Sequence, residues 1–367
     1  MTKLCCVFNT PSLYREVIYT RLEKAYDCDW YFEDTDNHLA EFDTSKFQCV
    51  KRLPAKKLGV FYWVKGTLAL LRRKEYTQFL MMGHSHNLST LVFLLLKRMF
   101  FRQKRAYLWT HGFYGKENFA ERIIKRLLLN SADELLIYGD YACEIMREMG
   151  FNDEKLHAVH NSLDYDTQLQ LRQQMSPSQI YADHFGNANP VLIFIGRLTQ
   201  VKRLDMLVQA IADLNGMGRS FNLVFIGDGS EREFLEKEAE RLGVSQQVWF
   251  YGACYDEKQN AEFVYNADLC VAPGNIGLTS IHSLMFGCPA MTHNDFAQQM
   301  PEFEVIKDGV TGTFFKRGDV NSMVSAIANW FGTMSAKREE VRQSCYKVID
   351  EEWNPDYQMK IIKQVIR

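Results

Sequence analysis

Phe194-Ile195-Gly196-Arg197-Leu198-Thr199-Gln200-Val201-Lys202-Arg203-Leu204-Asp205 carries an apolar strand, a glycine turn and the start of a helix within twelve residues. Arg197 follows the strand at once, and Lys202 stands five residues later, where the helix begins. Arg supplies a planar fork for phosphate oxygens and Lys a mobile point charge. The pair fits a diphosphate leaving group, whose charge grows as its bond to a sugar breaks. Two surface cations at a strand-to-helix turn are the plainer alternative.

The same strand-to-helix alternation runs outward from this stretch in both directions. In the second half the pattern predicts strands at 191–195, 223–226, 248–251, 269–272 and 290–292. Helices are expected between them at 203–214, 231–242, 258–266 and 279–286. The first half predicts strands at 4–8, 30–33, 48–51, 79–82, 106–110, 135–138 and 156–160. Its helices are expected at 12–24, 64–74, 88–100, 118–129 and 141–149. Residues 164–189 are polar and weakly periodic, which marks a boundary. The expectation is an α/β chain of two doubly wound domains facing a central cleft, with ligands at the carboxyl ends of the strands.

The composition agrees with a globular chain. Among 367 residues, 47% are hydrophobic, and only 22 Gly and 8 Pro are present, too few for a linker-rich or disordered protein. No leader peptide is expected from the short apolar run after Met1-Thr2-Lys3. Lys65 interrupts the apolar stretch 58–71, and Lys97-Arg98 the stretch 91–101, so neither makes a membrane span. The 9 Cys form no CxxC pair and no ladder. They are expected as reduced core thiols of a cytoplasmic protein, with no metal site.

A formal net charge of −2 conceals an asymmetry. Residues 1–163 carry +5 and the remainder −7, and between Lys51 and Arg105 thirteen cations face only Glu75. That stretch interleaves its charges with Phe61, Tyr62, Trp63, Phe100 and Phe101. It is either a buried helix face with a charged back or a peripheral contact for an anionic membrane. No nucleic-acid module is recognisable, and nucleic acid is not an expected partner.

A second signal is Pro273-Gly274-Asn275-Ile276-Gly277-Leu278-Thr279-Ser280-Ile281-His282-Ser283-Leu284-Met285-Phe286-Gly287-Cys288-Pro289. A strand gives way to a glycine-containing turn, with a helix starting near Leu278 and Thr279. Free N–H groups at such a start suit an anion.

The order of these motifs resembles the nucleotide-binding domain of retaining GT-B glycosyltransferases of family 4, the glycosyl transferases group 1 domain. The resemblance covers residues 190–315 nearly continuously. It takes in Ile226-Gly227-Asp228-Gly229, Phe250-Tyr251-Gly252, Tyr265-Asn266-Ala267-Asp268, Met300-Pro301-Glu302 and Asp308-Gly309-Val310-Thr311-Gly312. In the first half Trp109-Thr110-His111-Gly112 and the segment 159–164 are similar to family segments that end strands.

The resemblance implies a GT-B fold of two Rossmann-like domains. Residues 1–165 would take the acceptor side, 166–189 a linker and 190–350 the nucleotide-sugar domain. A tail at 351–367 would cross back to the first domain. It implies a glycosyltransferase that moves a sugar from a nucleotide-sugar donor to a glycan or lipid-linked acceptor, with retention and without a cofactor or metal. Gly196, Arg197 and Lys202 would hold the donor diphosphate, His111 would face the reacting centre, and the loop 252–255 would meet the base.

The family's two donor-binding Glu fall at Gly274 and His282, so this sequence has neither carboxylate. His282 is then either a ribose contact through a ring nitrogen or a core histidine, and Asn275 with Gly277 stands beside the lost sugar contact. A catalytically impaired partner protein is the competing expectation. Asp27-Cys28-Asp29, Asp34-Thr35-Asp36 and Asp164-Tyr165-Asp166 have a metal-binding DxD spacing but are expected as solvated loops.

Overall fold

The computed structural model describes residues 3–34 and 40–367. The chain divides into two compact units, Met1–Leu163 with Pro355–Arg367, and Asp164–Asn354. No described helix is long and apolar enough to cross a membrane.

In the first unit the strands are β1 (Lys3–Phe8), β2 (Asp27–Asp34), β3 (Val50–Leu58), β4 (Phe61–Val64), β5 (Gln78–Met82), β6 (Arg105–Thr110), β7 (Glu134–Ile137) and β8 (Leu156–Ala158). They form one sheet in the order β4-β3-β2-β1-β5-β6-β7-β8, parallel throughout except for the β3–β4 hairpin. Helices α1 (Glu16–Ala25), α2 (Leu88–Phe100), α3 (Phe119–Ser131) and α4 (Asp140–Glu148) connect them.

Alternate residues of β1 serve opposite faces of the sheet, as the two-residue repeat of a strand requires. Cys5 and Val7 join a core with Phe93, Leu94, Leu128 and Met146. Leu4, Cys6 and Phe8 join another with Ile18, Tyr19 and Leu22 of α1. The C-terminal helix Pro355–Val365 adds Met359 and Ile362 to that second core.

The second unit is a six-stranded, wholly parallel sheet: β9 (Val191–Ile195), β10 (Asn222–Ile226), β11 (Val248–Gly252), β12 (Leu269–Ala272), β13 (Ala290–His293) and β14 (Gly312–Phe315). Its order, β11-β10-β9-β12-β13-β14, reverses direction between β9 and β12. A doubly wound sheet opens a ligand crevice at that reversal, outside the carboxyl ends of the two strands. Helices α5 (Tyr165–Arg172), α6 (Ile180–Phe185), α7 (Leu204–Gly216), α8 (Arg232–Arg241), α9 (Glu257–Asn266), α10 (Thr279–Met285), α11 (Val320–Met334) and α12 (Arg338–Glu352) complete the unit.

Several local expectations are corrected. The segment 166–189 is not a linker but carries α5 and α6, which pack on α9. Its polar residues are engaged: Gln168 donates to Glu257 at 2.8 Å and the Tyr181 hydroxyl to Phe263 O at 2.7 Å. Residues 351–354 belong to the second unit and 355–367 to the first.

The helix expected at 64–74 is instead the end of the β3–β4 hairpin and a 3-10 helix, Thr67–Arg72. Asp27-Cys28-Asp29 opens β2, where buried Asp29 meets Lys3 at 3.2 Å. Asp164 caps α5, and Thr35 and Asp36 lie outside the described residues. All nine cysteines are free thiols, seven of them buried.

Candidate functional site

The two strands at the reversal of the second sheet each end in one of the glycine turns. Gly196 and Arg197 leave β9, and Pro273, Gly274 and Asn275 leave β12. The β9 turn is closed onto the neighbouring β10 turn: Gly196 N donates to Ile226 O and Leu198 N to Asp228 O, both at 2.9 Å. A Cβ on Gly227 would lie 1.9 Å from Gly196 O, so only glycine permits this approach.

Arg197 emerges from the turn exposed, and among the described residues no carboxylate pairs with it. Lys202 ends the 3-10 turn Gln200–Lys202 and reaches across to the β12 turn. Its Nζ donates to Asn275 O at 2.7 Å and to Asn275 Oδ1 at 2.8 Å. Burial and the nearby Arg197 guanidinium push the ammonium down to about 8, against the opposing pull of Glu302. Two cations held close enough to repel leave room for a negative charge between them.

The β12 turn is braced from below. The Thr292 hydroxyl lies 2.8 Å from Ala272 O and 3.0 Å from Gly274 O. Gln299 donates to Thr292 Oγ1 at 2.8 Å and accepts from Ile276 N at 3.0 Å. Gly274 N donates to Lys202 O at 2.8 Å, and a Cβ there would meet Val201 O at 2.1 Å. The position matched to the family's first Glu is therefore closed to any side chain, and Asn275 spends its carbonyl oxygen on Lys202 rather than facing a sugar with it.

The helix expected to bind an anion at its start is α10, only seven residues long. Gly277 turns into it with φ 55°. Leu278 occupies the cap position, while the Thr279 hydroxyl donates to Ile195 O at 3.0 Å, pinning the helix to the end of β9. Two turns make a weak dipole, so the charge at this site comes chiefly from Arg197 and Lys202.

His282 is nearly buried on α10, with its ring edge-on to Phe286. Its Nε2 lies 2.9 Å from Glu257 Oε1 on α9. Burial raises the Glu257 carboxyl, but hydrogen bonds from His282 and Gln168 outweigh that and leave it below its ordinary value. A carboxylate thus accompanies the position of the family's second Glu, supplied by another helix. Glu257 was not foreseen, because nothing in a single sequence links residues 257 and 282.

His111 belongs to the first unit. It follows β6, with its ring 4.6 Å from that of Tyr138 and 6.0 Å from that of Tyr114. Burial first, then the charges of Arg15 and neighbours, push it down to about 3, so the imidazole stays neutral. It can exchange hydrogen bonds but not carry a positive charge.

Comparison with known proteins follows this geometry. Residues 182–347 match the family described as glycosyl transferases group 1. The putative glycosyltransferase EpsD of Bacillus subtilis is 30% identical over 132 residues, which are 35% of this chain and 33% of EpsD. A GDP-mannose-dependent alpha-(1-6)-phosphatidylinositol dimannoside mannosyltransferase of Mycobacterium tuberculosis is 28% identical over 158 residues, 42% of this chain and 38% of the relative. The chain spans between a third and a half of the length of these curated relatives.

Among solved structures, a glycosyltransferase from Rickettsia africae has a TM-score of 0.74 at 11% identity, covering 99% of this chain and 97% of that one. Anabaena HepE in complex with UDP has a TM-score of 0.71 at 15% identity, covering 99% of each chain. This chain accordingly has the GT-B fold, built of two Rossmann-like α/β units, and its second unit carries the glycosyl transferases group 1 domain.

Proposed function

We propose that this chain is a glycosyltransferase that moves a sugar from a nucleotide-sugar donor to a glycan or lipid-linked acceptor. Retention at the anomeric carbon, and a place in cell-surface polysaccharide or glycolipid biosynthesis, go with the family resemblance. The observation that carries the reading is the pairing of Arg197 with a partly desolvated Lys202 at the reversal of the second sheet. In the proposed reaction the sugar–oxygen bond to the diphosphate breaks and both electrons stay on the diphosphate. Arg197 and Lys202 then stabilise the charge gained, as preorganised cations do in a site poor in water.

Gly196, Gly274 and Gly277 let backbone approach the donor, with Leu278 and Thr279 offering main-chain N–H groups. His282, oriented by Glu257, is the proposed ribose contact, and His111 a neutral hydrogen-bonding group for the sugars. No metal is needed for the leaving group in this scheme. Tyr255, almost fully exposed at 95% in the loop after β11, is placed to meet the base.

The test is thermal unfolding of the chain with UDP-, GDP-, CMP- and dTDP-sugars and their free nucleotides. A ligand that binds only the folded state raises Tm by mass action. One nucleotide series is expected to raise Tm selectively, and its sugar should then be transferred or hydrolysed with the product anomer matching the donor. No response from any series on folded protein would overturn the proposal. A nucleotide response with neither transfer nor hydrolysis would favour the partner-protein reading, which the closed backbone at Gly274 motivates.

A cytoplasmic chain lying at the membrane inner face is part of the same proposal. The supporting surface is α3 rather than the expected 51–105 helix. Phe119, Ile123 and Leu127 stand exposed on successive turns, beside exposed Met99 and Phe100 at the end of α2. Arg98, Arg102, Arg122 and Arg126 are exposed on the same two segments. Apolar side chains ringed by cations suit an anionic bilayer. The chain is expected to float with phosphatidylglycerol vesicles and not with phosphatidylcholine, and Phe119→Ser with Ile123→Ser should abolish flotation. Equal flotation of that double variant would remove this surface from the proposal.

A further inference from the structure

Arg15 ends the 3-10 turn Leu13–Arg15 at the carboxyl end of β1 and is only 6% exposed. Its partners are phenols. Nε donates to Tyr14 OH at 2.9 Å, Nη1 to Tyr19 OH at 3.2 Å, and Nη2 to Tyr138 OH. The guanidinium carbon lies 5.3 Å from the centre of the Tyr14 ring and 5.5 Å from that of Tyr138. Among the described residues no carboxylate reaches it.

Other buried cations of this unit have an exit that Arg15 lacks. Lys97 is paired with Asp133. Lys104 sits on the carbonyls of Arg73 and Tyr76, both at 2.6 Å, and burial lowers its pKa so that it can shed its proton. A guanidinium does not deprotonate in proteins. Enclosing one among neutral hydroxyls is costly unless a negative charge arrives from elsewhere.

The geometry also leaves donors for that charge. A guanidinium has five N–H groups, and the phenols engage three, so each Nη keeps one. Two such donors in one plane match two oxygens of a carboxylate or phosphate. The surroundings are of one kind. His111 packs on the Tyr138 ring and Tyr114 on His111, and Lys125 Nζ lies 5.2 Å from the Tyr114 ring centre. These groups follow the carboxyl ends of β1, β6 and β7, where a parallel sheet places its ligands.

We propose that Arg15 is the receptor for an oxyanion, phosphate or carboxylate, borne by the acceptor sugar, with Tyr138 and His111 completing the subsite. The proposal rests on the glycosyltransferase reading for the word acceptor. It predicts that acceptors carry an anionic group close to the hydroxyl that reacts.

The test uses the full chain carrying Arg197→Ala and Lys202→Ala, so that the second unit's cations do not answer for Arg15. Tm is measured with glucose 6-phosphate, glucuronate and glucose at matched ionic strength. One anionic sugar should raise Tm by about 3 °C near saturation, with no response to glucose. A phosphate response identifies a phosphorylated acceptor, and a glucuronate response a carboxylated one. Arg15→Met in the same background should lose the response and raise the ligand-free Tm.

A response that survives Arg15→Met, or no response to either anion in the parent, overturns the proposal. Should Arg15→Met not fold, Arg15→Lys decides, since it keeps the charge without the planar donors. An undiminished response there also overturns it. Nucleotide binding, read separately on the wild-type chain, shows whether the donor reading has failed instead.

Discussion

Alanine at Lys202 should lower kcat by roughly 10²–10³, the loss typical when a preorganised partner of a developing negative charge is removed. Arg197→Ala should do the same, and the two differ in what else they disturb. Arg197 is exposed, with no carboxylate partner among the described residues, so its loss should leave Tm within about 1 °C of wild type, as for most surface changes. Lys202 also ties down Asn275 through two hydrogen bonds, so its loss should lower Tm measurably. Wild-type turnover in both variants would remove the assignment of this site.

A pH signature accompanies the pair. In the free protein the Lys202 ammonium titrates near 8, and a bound diphosphate would hold it protonated. Nucleotide affinity should therefore fall as pH rises through about 8, with proton uptake on binding. Calorimetry in buffers of different ionisation enthalpy measures that uptake. An affinity flat between pH 7 and 9 would place the Lys202 charge outside the nucleotide site.

Gly274→Glu restores the carboxylate that relatives of this family carry, yet it should damage the protein. A Cβ at 274 would lie 2.1 Å from Val201 O and 2.8 Å from Lys202 Cα, and both obstacles are backbone. Neither can swing aside as a side chain would. The cost is expected at about 3 kcal/mol, within the range of severe overpacking. Gly274→Ala should share most of it, because the clash begins at Cβ. Folded Gly274→Glu protein of wild-type Tm and higher donor affinity would show that the turn is not closed as described.

The second unit was legible because its central strands are enclosed on both faces. Runs such as Val191–Ile195 and Leu269–Ala272 are almost wholly buried, and buried parallel strands show as continuous apolar stretches. The β3–β4 hairpin was not legible for the opposite reason. At the sheet edge β3 exposes Lys51, Arg52, Lys56 and Lys57, so little burial pattern remains, and the apolar residues from Phe61 to Leu71 imitate a helix.

The cations of the candidate site were visible because Arg197 and Lys202 are neighbours in sequence. Glu257 beside His282 depends on the packing of two helices that no spacing foretells. Arg15 passed unremarked for a related reason: its phenols sit at positions 14, 19 and 138, and uncompensated burial is a property of the folded molecule.

The return of Pro355–Val365 to the first unit bears on how the chain is made. Met359 and Ile362 fill a core whose other members, from Leu4 to Val159, leave the ribosome long before them. At typical rates of synthesis the intervening residues 164–354 take roughly 10–40 s to emerge. During that interval the α1 side of the first sheet waits with an uncovered apolar face. The second unit, continuous in sequence, is free to finish folding first, so the order of maturation runs opposite to the order of translation. That exposed interval is where a holding chaperone would act on this chain.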